Sequence, residues 1–191
     1  MQWGNDDDRF FGMVISDEFL TPAERADLFE LWGKAVAGEG EYDPAAYLTE
    51  KGHTLLGIGS ELSGGIRNVY MTNCTTPGNV LRLYYVKTNH RRGGFVENIW
   101  LKGAKVRACK EVVALATDVV YQWKDFPDYE TKMTRIEGLH VEDVEVDSCE
   151  TVITLIGDKR LPARGVTIKN LKVGKYSKKF CEVENVENIE L

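Results

Sequence analysis

Three short stretches of the chain carry the side chains able to do chemistry. Lys87-Thr-Asn-His-Arg-Arg92 gathers Lys87, His90, Arg91 and Arg92 into one run. A lysine supplies a point charge and an arginine a two-pronged donor, so the run suits a carboxylate ligand. Asn5-Asp-Asp-Asp8 sets carboxylates side by side, a pattern that serves either as solvated acidic surface or as a site. Gly52-His-Thr-Leu-Leu-Gly-Ile-Gly-Ser-Glu-Leu-Ser-Gly-Gly-Ile-Arg-Asn-Val69 crowds glycines around His53 and Glu61. Glycine permits backbone conformations that a β-carbon forbids, so the stretch must turn sharply or approach other backbone closely. It reads equally as a catalytic corner and as a bend between strands.

These residues need elements to hold them, and the chain supplies a repeat. Val96–Thr117 aligns without a gap on Ile136–Gly157. Val96, Ile99, Leu101, Val106, Cys109, Val112 and Leu115 fall on Ile136, Leu139, Val141, Val146, Cys149, Val152 and Leu155. The opening phrase recurs as Ile66-Arg-Asn-Val69, as Ile168-Lys-Asn-Leu171 and in part as Val183-Glu-Asn-Val186, so units are expected to start at residues 66, 96, 136, 168 and 183. Alternation with β-branched residues, as in Val144-Glu-Val-Asp147, marks the units as strands. Stacked strand units of this period predict an all-β fold, a right-handed parallel β-helix or solenoid over residues 52–191. Equivalent positions then form ladders along the axis: Asn68, Asn98 and Asn170 at one bend, and Cys109, Cys149 and Cys181 in one column of the core.

The segment before the repeat differs. Thr21-Pro-Ala-Glu24 reads as a capping box with proline at the first helical position, and Gly38 as a stop, which predicts a helix over about 22–37 within the N-terminal segment 1–51. Leu28, Leu31, Trp32 and Ala35 share one face, so this capping or inserted α-helix is expected to lie on the open end of the coil stack.

Bulk properties narrow the function classes. A chain of 191 residues with 43% hydrophobic and 28% charged composition is expected to form a single domain, 1–191. A formal charge of −6 argues against nucleic acid as a partner. No apolar run approaches the ~20 residues that a membrane-spanning helix needs, so no membrane partner is expected. The acidic N-terminus is unlike a secretion signal, which points to a cytoplasmic protein or to one processed from a secreted or periplasmic form. Cys74, Cys109, Cys149 and Cys181 include no Cys-x-x-Cys pair, so no metal is expected and the thiols read as buried core groups.

The phrases Gly52-His53, Ile58-Gly-Ser-Glu-Leu-Ser-Gly-Gly-Ile-Arg-Asn-Val69 and Val86-Lys-Thr-Asn-His-Arg-Arg-Gly-Gly-Phe-Val-Glu-Asn-Ile99 resemble the polygalacturonase family, family 28 of the glycoside hydrolases. The resemblance runs from about Gly52 to the C-terminus and corresponds to the C-terminal half of a family member. It implies a parallel β-helix that hydrolyses α-1,4 bonds between galacturonic acid residues of pectin, or related uronic acid linkages, with inversion and without a cofactor. One carboxyl group then acts as general acid while others activate a water across the sugar.

Under the resemblance Asp6 and Asp7 are the acid and base candidates, His53 tunes their charge state and Lys87 binds the substrate carboxylate. Tyr85 stands where the family carries an arginine, with His90, Arg91 and Arg92 as nearby cations. The family's Asn-Thr-Asp motif has no counterpart. Two functions follow as expectations: a pectin-type glycosidase, or a catalytically silent β-helix that binds acidic polysaccharide or oligosaccharide or serves a structural role. Homo-oligomers through the β-helix ends are a further expectation.

Overall fold

The computed structural model describes residues 54–60, 62, 64–119 and 131–191, together with Gln2, Trp3, Phe10, Phe11 and Ala23. Asp6, Asp7, His53 and, apart from Ala23, the helix expected at 22–37 lie outside the described residues. Short strands β1 (Gln2–Trp3) and β2 (Phe10–Phe11) pair antiparallel. The remaining strands are β3 (Leu56–Ile58), β4 (Ile66–Lys87), β5 (Phe95–Ala116), β6 (Arg135–Ile156), β7 (Ala163–Glu184) and β8 (Val186–Glu190). They form one parallel sheet in strictly sequential order.

A strand of 22 residues, if straight, would be ~73 Å long. It is not straight. The Tyr84 hydroxyl donates to the Ile99 carbonyl at 3.1 Å, yet the register partner of Ile99 within β4 is Val69. Residues of β4 that an extended strand would hold ~50 Å apart therefore lie close to each other, and β4 folds back on itself. The enclosed core takes residues from every segment of the rung, among them Val96, Ile99, Leu101, Val106, Val112 and Leu115 on β5. Burying each such aliphatic group contributes about 1.5–3 kcal/mol.

Two ladders of left-handed residues make the bends. Asn68, Asn98, Gly138, Gly165 and Asn188 occupy one register position, and Asn73, Gly103, Asp143 and Asn170 occupy another. All have positive φ, from 51° at Asn170 to 73° at Gly138, a region that asparagine, aspartate and glycine tolerate best. The amides also bind along the ladders: Asn98 Nδ2 donates to Asn68 Oδ1 at 2.7 Å and Asn170 Nδ2 to Asp143 Oδ1 at 2.9 Å. Gly103 has no room for a side chain, because a Cβ there would stand 2.7 Å from Asn73 Oδ1.

This register corrects the expected repeat starts. The phrase apolar–polar–Asn/Asp/Gly–apolar occurs twice per rung, once at each bend, so Ile168-Lys-Asn-Leu171 stacks on Val141-Glu-Asp-Val144 and not on Ile136. The rung begins at Ala163, and Asn170 belongs to the second ladder. The last unit begins at Val186-Glu-Asn-Ile189 and not at Val183. Cys109 pairs with Cys149, both buried, as the gapless repeat requires. Cys149 then meets Tyr176, whereas Cys181 lies over Ile153 and is exposed. Burial pushes the Cys109 thiol up to about 12.

Candidate functional site

On the last segment of each rung the side chains alternate between core and exterior. Tyr84 and Val86 point inward, stacked with Val113 and Leu115 on β5. Tyr85 and Lys87 take the outward positions, and above them stand Ala114 and Ala116, then Thr154 and Ile156. Small side chains on this outer face leave a cleft of about 430 Å³ lined by Arg82, Tyr85, Glu111, Ala114, Asp118 and Thr154, among others.

Arg82 is the best-positioned cation of the cleft. Its Nε donates to Glu111 Oε2 at 2.5 Å across the rung, and its guanidinium lies 4.3 Å above the centroid of the Tyr85 ring. The pair is half-buried, with side-chain exposures of 22% and 19%, so the charges attract through a less screened medium than at an open surface. Anchored at Nε and stacked on an aromatic face, the guanidinium keeps Nη1 and Nη2, which make no hydrogen bond with a described residue. That free end has the fork geometry that binds a carboxylate.

Lys87 is buried, and desolvation lowers its ammonium from 10.5 to about 8. It does not itself line the cleft, but its register partner Ala116 does. Gly59 makes room for it: a Cβ there would lie 1.7 Å from the Lys87 carbonyl oxygen. Beyond Lys87 the chain turns through 88–94. Buried Asn89 holds this turn, its Nδ2 donating to the Ser60 carbonyl at 2.8 Å and its Oδ1 accepting from the Arg91 amide at 3.0 Å. The backbone of Lys132 closes the other side against His90 and Gly93.

His90 sits between carboxylates of two other rungs. Its Nε2 is 3.0 Å from Asp158 Oδ2 and its Nδ1 is 3.4 Å from Asp118 Oδ1. The Asp158 contact is close enough for ionic attraction but off the line of a hydrogen bond. Arg160 Nη2 lies 3.0 Å from His90 Nδ1 and also binds Asp158 Oδ2 at 2.9 Å. The Arg160 side chain holds the Asp158 carboxyl well below the usual range. Asp118 belongs to both groups, since it touches His90 and lines the cleft. Among the described residues no group of three or more His, Cys, Asp or Glu is arranged to hold a metal ion.

Of the residues singled out in the sequence, Tyr85 lines the cleft, Lys87 stands beside it in the ladder, and His90 joins the Asp118–Asp158–Arg160 group at its end. Arg91 and Arg92 are in the turn and outside the lining. Asp6, Asp7 and His53 cannot be placed, because they lie outside the described residues. Sequence reasoning missed Arg82, Glu111, Asp118, Asp158 and Arg160. A signal for one pair was present: extending the gapless repeat by one residue sets Asp118 on Asp158. No protein-family model matches this chain, and no curated protein matches it.

Proposed function

We propose that this chain is a polygalacturonase-like protein built on a right-handed parallel β-helix, and that its cleft receives a uronic acid unit of a pectin-type polysaccharide. The observation that carries the reading is the Arg82 guanidinium, tethered to Glu111 through Nε, stacked on Tyr85 and lining the cleft. A galacturonosyl carboxylate is the ligand group that such a fork fits. Tyr85 stands where the resembling family carries an arginine, and Arg82 returns a guanidinium to that position from the preceding turn of the strand. Hydrolysis by inversion falls to Asp6 and Asp7, with His53 adjusting their charge, and needs no cofactor.

A second reading, a silent module that binds acidic oligosaccharide without cleaving it, is favoured by one feature. Of the two described carboxylates of the cleft, Glu111 is already engaged by Arg82. Reducing-sugar release from polygalacturonate, set beside calorimetric titration with trigalacturonate, separates the two. Release that is lost in Asp7→Asn supports the glycosidase; binding without release supports the silent module. Absence of binding at low salt, or binding that Arg82→Met leaves unchanged, refutes the cleft assignment altogether.

A further inference from the structure

The cleft changes character along the stack. On β4 it offers Arg82 and the ring of Tyr85; on the next two rungs its floor is made of Ala114 and Ala116, then Thr154 and Ile156. Consecutive rungs lie ~4.8 Å apart, so a ligand group over this floor is only one or two strand spacings from the guanidinium. The floor's side chains end in methyl groups, with the Thr154 hydroxyl as the one side-chain donor among them. An ionised carboxylate placed there loses water for little return, whereas an apolar group gains contact.

Charge points the same way. Among the described residues that line the cleft Arg82 is the single cation, set against the carboxylates of Glu111 and Asp118, which leaves the lining net negative by one charge. Glu111 holds Arg82 through Nε, and the guanidinium fork still suits one ligand carboxylate. Asp118 stands at the far side, its side chain 55% exposed and its Oδ1 3.4 Å from His90 Nδ1. The neighbouring Arg160 is committed elsewhere, since it binds Asp158 through Nε at 3.0 Å and through Nη2 at 2.9 Å. A second ionised carboxylate in the cleft would therefore face Asp118 with no further cation of the described lining to offset the repulsion.

We propose that the cleft selects a partly methyl-esterified uronic acid chain. One free carboxylate goes to Arg82, the neighbouring unit over Ala114, Ala116, Thr154 and Ile156 carries its carboxyl as the methyl ester, and Asp118 is the residue that rejects the ionised form. The proposal rests on the reading of the cleft as a uronic acid site and narrows it. Selection comes from what is excluded as much as from what is bound: the ester removes the charge that Asp118 opposes and presents a methyl group to the floor.

The test uses the full chain and calorimetric titration at low salt with three ligands: trigalacturonate, the same trimer with one free carboxylate and two methyl esters, and the fully esterified trimer. The partly esterified trimer is expected to bind on the order of tenfold more tightly than the trianion. The fully esterified trimer should bind more weakly than the partly esterified one, because it offers Arg82 no carboxylate. Asp118→Asn should strengthen binding of the trianion and leave that of the partly esterified trimer nearly unchanged, a gain that a disturbed fold cannot produce. A trianion that binds as tightly as the partly esterified trimer, and loses affinity in Arg82→Met, keeps the uronic acid site and overturns the selection alone. Unaltered trianion affinity in Asp118→Asn, or equal binding of the two esterified trimers, overturns it as well. Binding of none of the three fails the site itself, and this proposal with it.

Discussion

Replacing Lys87 by methionine separates the cost of the buried ammonium from its use. Desolvation lowers its pKa from 10.5 to about 8, and 2.5 units correspond to about 3 kcal/mol by which the folded state disfavours the charged form. A base whose folded pKa is depressed is carried at a cost below that pKa, and the cost is relieved as pH rises toward the unfolded value. Between those limits the unfolded chain binds more protons, so stability increases with pH. From pH 7 to pH 9 the gain is about 1 kcal/mol, less a few tenths from Cys109, whose raised thiol pKa acts with the opposite sign above its unfolded value near 9. Lys87→Met should therefore flatten the rise between pH 7 and pH 9 and weaken oligogalacturonate binding. A wild-type midpoint that does not change over this range, or a methionine variant whose midpoint rises as steeply as that of the wild type, would refute the reasoning.

Four other outcomes follow from the geometry. Tyr84→Phe removes a hydroxyl that bonds across the core to Ile99 and should cost about 1–2 kcal/mol in denaturant titration, with the fold intact by circular dichroism. Asn98→Ala should cost about 1–2 kcal/mol and Asn98→Gly distinctly less, because the left-handed backbone at φ 55° and not the amide alone sets the penalty; equal losses would show otherwise. Gly59→Ala should destabilise by at least about 2 kcal/mol, since the new Cβ would meet the Lys87 carbonyl. In native protein a thiol reagent should modify exposed Cys181 rapidly and leave Cys109 and Cys149 untouched until unfolding; rapid labelling of the buried pair would contradict their place in the core.

The stacking of β5 on β6 was legible because twenty-two consecutive residues keep their inward set, and any slip would turn that set outward. The fourth rung was misread for an equally physical reason. A bend needs a residue that tolerates positive φ, flanked by inward apolar groups, and each rung has two such bends, so Ile168-Lys-Asn-Leu171 carries the signature of either. The bulges between Thr76 and Asn79 and between Cys149 and Thr151 shift the register of β4 and β7 by one residue, which no periodic template anticipates. In the site, the Lys87 run was visible as charge in sequence. Arg82 was not, because its importance comes from a partner on the next rung, Glu111, and from the ring of Tyr85 below its guanidinium.

The position of the cleft follows from what the outward columns omit. Around most of each rung the outward positions are filled with long charged side chains that pair from rung to rung, Lys102 with Glu142, Lys105 with Glu145 and Arg135 with Glu97. Such pairs cover the backbone and add little stability individually. Over the last segment the ladder changes to Ala114, Ala116, Thr154 and Ile156, too short to reach one another or to cover the sheet. Inward positions of these stacked parallel strands are constrained by packing against the core, whereas outward ones are free to vary, so a local loss of charged cover costs the fold almost nothing. It leaves a concave floor with Arg82 and Glu111 at one side and Asp118 at the other. At its own side Arg82 is held to Glu111 through Nε alone, and its Nη1 and Nη2 make no hydrogen bond with a described residue.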